Sequence, residues 1–153
     1  MKWGLRGAPD WTIEEAMRVV SLLAEPFREN GYTLAIHGSV PAQGQGHDLD
    51  LIAVPAALVI TQPETMERLM CELLRASPDG EPSRGLLGDW SRACILEDGH
   101  QIDMEYRPLD WESTIRHLAY RLWQERGQPL GSPEVDWFLA EHRLSQARSS
   151  LIR

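Results

Sequence analysis

Lysine is almost missing from this chain: of 15 basic residues only Lys2 is a lysine, and the other cationic side chains are arginines. A GC-rich coding sequence accounts for that skew as simply as selection for arginine's two-pronged grip on phosphate does. Basic charge is short overall, 15 residues against 23 acidic ones for a formal net charge of -8, which argues against unaided affinity for nucleic acid. Cysteine is scarce too. Cys71 and Cys94 lack C-x-x-C spacing, suggest neither a disulfide framework nor a zinc site, and read as reduced, partly buried thiols. Long apolar runs are absent, since "LIAVPAALVI" extends for ten residues and is broken by Pro55, far short of the roughly 20 that span a bilayer. The opening "MKWGLRGAPDW" has no apolar run of the kind a secretory leader carries, so a cytoplasmic protein without membrane contact is expected. A chain of 153 residues has room for one domain with a real core and a short appendage.

What is present is ordered. In "WTIEEAMRVVSLLAEPFREN" apolar residues recur at helical spacing, Thr12 and Glu15 form a capping box, and Asn30-Gly31 supplies a stop, with Pro26 a candidate kink or early end. "YTLAIH" reads as a buried strand ending at Gly38, and "DLDLIAV" as a second strand with Asp48 and Asp50 on one face and Leu49 and Leu51 on the other. A helix is expected over about Pro63 to Arg75, with proline in the first turn. "SPDGEPSRGLLGD", Ser77 to Asp89, reads as a long loop. "WSRACILEDGHQIDMEYRP" then gives a hairpin turning at Asp98-Gly99, with Ile102, Met104 and Tyr106 on one face and Gln101, Asp103 and Glu105 on the other. From Asp110 on, one helix stops at Gly127 and another starts at Ser132-Pro133. The expected order is α-β-β-α-β-β-α-α, an α+β class, with a domain at 1–109 and a helical hairpin at 110–153 packed on it.

Two carboxylates two residues apart on a strand project from one face with Cβ atoms about 7 Å apart, a spacing from which both can hold one magnesium ion or a close pair. Two-metal sites usually draw a third carboxylate from another element. Asp103 and Glu105 are the candidates, and the three acids should then converge on one point. Gly38 lets a backbone approach a phosphate closely, and the Ser39 hydroxyl with neighbouring N–H groups can hold phosphate oxygens. The bland alternatives are a solvated strand face for Asp48 and Asp50, and local hydrogen bonding or substrate contact for His37 and His47. Core packing is the bland reading for Trp123 and Trp137, and a wet helix face for Arg116, Arg121 and Arg126.

Taken together, "IHGS" (Ile36 to Ser39), a loop of eight residues from Val40 to His47, "DLDL" (Asp48 to Leu51) and "IDMEY" (Ile102 to Tyr106) resemble the nucleotidyltransferase superfamily of the DNA polymerase beta-like, minimal nucleotidyltransferase type. The resemblance covers about Tyr32 to Arg107. It implies a mixed β-sheet with helices packed on it and metal-dependent transfer of a nucleoside monophosphate from a nucleoside triphosphate such as ATP. The acceptor would be a hydroxyl of a small molecule or protein, its identity left open. Asp48, Asp50 and Asp103 would be the catalytic and metal-binding acids for Mg2+ or Mn2+, and Gly38 and Ser39 would bind the nucleotide. Minimal members often carry A-R-G after the G-S and Ser before the D-x-D, where this chain has Ala42-Gln43-Gly44 and His47. Arg84, Arg92 or Arg107 could supply the lost phosphate contact.

"IRHLAYRLWQERGQPLGSPEVDWFLAEHRL", Ile115 to Leu144, resembles a short bacterial domain family of unknown function. Leu118, Leu122, Trp123, Trp137, Phe138 and Leu144 are expected to dock on the preceding domain or a second subunit, making a homodimer or a protein-partner contact. The functional alternative to an enzyme is a catalytically inactive member of the same superfamily, serving as a nucleotide sensor or a toxin–antitoxin-type partner module.

Overall fold

The computed structural model describes residues 10–86, 88–131 and 133–152. The opening segment through Pro9 lies outside the described residues, as does the expected helix-start residue Ser132. The chain divides into two compact units, with the boundary between Pro108 and Leu109.

The first unit runs β1 (Trp11–Thr12), α1 (Ile13–Glu29), β2 (Tyr32–His37), α2 (Ser39–Gln43), β3 (Gln45–Gly46), β4 (Asp48–Pro55), α3 (Pro63–Leu74), β5 (Ala76–Arg84), β6 (Trp90–Leu96) and β7 (Gln101–Tyr106). Five strands form one sheet in the order β2-β4-β7-β6-β5, and β1 pairs with β3 in a separate two-stranded ribbon. Among the described residues only the β4–β7 pairing in the large sheet is parallel. The class is mixed α+β, as expected.

Local rules account for most of this. The capping box forms, with the Thr12 hydroxyl accepting from the Glu15 N–H at 3.3 Å and the Thr12 N–H donating to the Glu15 carboxylate at 2.9 Å. That backbone hydrogen bond holds the Glu15 carboxyl below its ordinary range. Pro26 does not end α1. It forfeits one helical hydrogen bond in the last turn, where the Asn30 side-chain amide donates to its carbonyl at 2.8 Å. Alternation along β4 and β7 buries Leu49, Leu51 and Ala53 on one strand and Ile102, Met104 and Tyr106 on the other. These join Ala16, Leu23 and Phe27 of α1 and Met66 and Met70 of α3 in one core, each large side chain contributing roughly 1.5–3 kcal/mol. Phe27, Tyr32 and Tyr106 form an aromatic cluster within it, with centroids 5.7–6.4 Å apart. Because strand side chains alternate, Asp48, Asp50, Asp103 and Glu105 fall on the opposite face from these helices.

Two segments differ from expectation. The stretch read as a loop from Ser77 to Asp89 is mostly β5, paired antiparallel with β6 and shifting register between Asp79 and Ser83. Pro78 and Pro82 are tolerated because β5 lies at the sheet edge, where a missing N–H on the solvent side costs no ladder bond. The connection Val40 to His47, read as loop, contains most of α2 and all of β3.

The second unit is a helix pair, α4 (Trp111–Glu125) and α5 (Pro133–Ile152). The Asp110 carboxylate caps α4 by accepting from the Ser113 N–H at 2.9 Å. Ile115, Ala119, Leu122 and Ala140 are buried together, with Trp111, Leu118, Trp137 and Leu144 packed on them. Four of the residues expected to dock elsewhere, Leu118, Leu122, Trp137 and Leu144, are therefore used inside the pair itself. Trp123 is held by its indole N–H on the Pro129 carbonyl at 3.0 Å, while Phe138 is exposed. Arg126, read as part of a wet face, donates to both oxygens of Asp136 at 2.9 and 2.7 Å, and Asp136 is 2% exposed. Its partner is ten residues away across the turn, a distance that helical spacing cannot reveal. Among the described residues no helix is long and apolar enough to cross a membrane.

Candidate active site

The site is built on the sheet face that α1 and α3 leave uncovered. Strand pairing lines up His37 of β2, Asp50 of β4, Asp103 of β7, Ala93 of β6 and Asp79 of β5 in one row across all five strands. Neighbouring strands lie about 4.8 Å apart, so the Asp50 and Asp103 side chains leave the sheet side by side. The next row carries Glu105, Ser91 and Ser83. His37, Asp50, Asp103, Asp79, Glu105 and Ser91 are among the residues lining a cavity of about 540 Å³.

Asp48 leaves the same face one step earlier, in register with Gln101. Among the described residues no three or more His, Cys, Asp or Glu side chains are gathered so as to hold a metal ion. The register thus brings Asp50 and Asp103 to one level and leaves Asp48 a pleat away. Glu105, the alternative third acid, pairs with Ile52 and makes an ion pair with Arg107 at 3.1 Å.

Gly38 is required where it stands for two reasons. Its backbone has φ 81° and ψ -150°, which side chains rarely adopt, and a Cβ there would lie 2.3 Å from an Asp50 carboxylate oxygen. The turn after β2 is therefore pressed against the D-x-D strand, and Ser39 opens α2 directly behind it. Gly46 plays the matching part for Ser39, since a Cβ on Gly46 would lie 2.2 Å from the serine hydroxyl oxygen. His47 points elsewhere, with its Nδ1 at 2.5 Å from Asp10.

Arg84, Arg92 and Arg107, the candidates for a phosphate contact, each meet a carboxylate: Arg84 on Glu64 at 3.0 Å, Arg92 on Glu67 at 3.1 Å and Arg107 on Glu105. Arg92 also donates to the Gly80 carbonyl at 2.9 Å, tying down β5. Burial pushes the Glu67 carboxyl up, and Arg92 partly offsets this. The two thiols belong to the other side of the sheet, with Cys71 and Cys94 sulfurs 3.9 Å apart and both pKa values raised by burial.

Sequence reasoning missed Gln101 and the β5 acids. Gln101 donates its amide to Asp103 at 2.9 Å, and its strand-face position beside Asp103 was the available signal. Asp79 and Glu81 were hidden in the segment read as loop.

A family model described as a protein of unknown function (DUF2934) matches residues 110–146, which bears out the resemblance seen in the tail. No curated protein matches the chain.

Proposed function

We propose that the first unit is a nucleotidyltransferase-fold enzyme that moves a nucleoside monophosphate from a nucleoside triphosphate to a hydroxyl of a small molecule or protein. The observation that carries this reading is the register match of Asp50 and Asp103 on parallel neighbours, with the Gly38-Ser39 turn pressed against Asp50. Magnesium or manganese fits the donor set, since hard cations take carboxylate oxygens and like charges on adjacent strands favour a cation beside them. Asp50 and Asp103 would hold it, with Asp48 reaching toward it from one pleat away, and the ion would offset charge developing on the transferring group. The chain supplies the rest. Gly38 carries no side chain to block a phosphate, and Ser39 would hold the terminal oxygens. Asp103 would also assist removal of the acceptor proton as the acceptor oxygen bonds to the α-phosphorus and pyrophosphate leaves. With its net charge of -8 the protein suits nucleic acid poorly as acceptor.

The test is incubation of wild type and Asp50→Asn with labelled triphosphates, Mg2+ or Mn2+ and a panel of hydroxyl acceptors. Labelled product from wild type alone is expected, and no product with any triphosphate would overturn the enzymatic reading. A second reading, an inactive sensor or partner module of the same superfamily, draws support from the engagement of Arg84, Arg92 and Arg107 with carboxylates. The exposed Val135, Phe138 and Leu139, at helical spacing on α5, suit the homodimer or protein contact that reading needs.

A further inference from the structure

We propose that Gln101 is a positioning residue for the third carboxylate, an inference that rests on the nucleotidyltransferase reading of Asp103. Gln101 begins β7, two residues before Asp103, so both side chains leave the same face of the strand. It is 9% exposed, and its side-chain amide donates to Asp103 Oδ1 at 2.9 Å. Only the NH2 end can face a carboxylate without repulsion, which fixes the orientation of the amide. Its register partner is Asp48, so this neutral side chain stands beside both the first and the third acid of the candidate site.

The backbone of Gln101 is fixed in turn. Its carbonyl accepts the Trp11 indole N–H at 2.7 Å, and Trp11 is 2% exposed with its ring 4.4 Å from that of His100. A neutral donor suits this position for a physical reason. An arginine or lysine would orient Asp103 equally well but would neutralise it and compete with a bound cation, whereas an amide fixes one oxygen and leaves the negative charge in place.

The test is titration of the metal-free full chain with Mn2+ alone, free ion being followed by electron paramagnetic resonance, for wild type, Gln101→Met, Gln101→Asn and Asp50→Asn. Methionine keeps the bulk and removes the donor; asparagine keeps the amide and shortens its reach. Both are expected to weaken Mn2+ binding about tenfold, the lower end of what loss of a ligand-orienting partner costs. A merely structural role would lower the unfolding temperature and leave the affinity of the folded protein unchanged. Wild-type binding that Asp50→Asn abolishes and both Gln101 variants retain would overturn the role of Gln101 and spare the metal site. Failure of both Gln101 variants to fold would make the residue structural and overturn it as well. Wild type that binds no Mn2+ would overturn the metal site and Gln101 together.

Discussion

Two pairs of side chains, one in each unit, set carboxylates in different company. In the hairpin Asp136 is almost fully buried and receives two hydrogen bonds from Arg126, so a charge is matched by a charge. In the sheet Asp50 and Asp103 are register partners on neighbouring strands, two like charges side by side. The first arrangement stabilises a fold; the second sets two acids where a hard cation can bind, which points to a site rather than to a structural pair.

The largest expected effect tests the acid pair itself. Asp50→Asn should abolish transfer while leaving the unfolding stability of the metal-free protein no lower than that of wild type, as read by chemical denaturation. A variant that loses stability instead would put Asp50 among the structural carboxylates. Gly38→Ala comes next. The substitution forces a side chain into a left-handed backbone and onto the Asp50 carboxylate, so a cost of roughly 1–3 kcal/mol and a severe loss of transfer are expected.

On the other side of the comparison, Arg126→Ala leaves Asp136 buried without its partner. A destabilisation of about 2 kcal/mol is expected from the loss of charge-assisted hydrogen bonds, discounted because Arg126 is 40% exposed. Mn2+ affinity should not change. The smallest effect concerns the thiols: burial keeps Cys94 protonated, so its labelling by a thiol reagent at pH 8 should be slow in the native protein and rapid in denaturant.

How much of this was legible in the sequence depended on whether the cause was local. The central strands could be read because Leu49, Leu51, Ile102 and Met104 alternate with acids, and α1 because Thr12 and Glu15 cap it within one turn. The strand β5 could not, because Ser77, Pro78, Gly80 and Pro82 carry turn chemistry and only pairing with β6 makes them a strand. The Arg126–Asp136 pair was likewise hidden, since its geometry depends on how two helices meet. At the candidate site the residue types were visible and their register was not. That Asp103 rather than Glu105 faces Asp50 follows from the offset of two parallel strands, which no spacing within either strand encodes.

The most direct measurement is a crystal structure of the protein grown with Mn2+ and a non-hydrolysable nucleoside triphosphate, located by the anomalous signal of manganese. A manganese peak bonded to Asp50 and Asp103, with triphosphate oxygens at Gly38 and Ser39, is expected. Metal or nucleotide bound elsewhere, or an empty sheet face at saturating concentrations of both, would contradict the assignment of this face as a nucleotidyltransferase site.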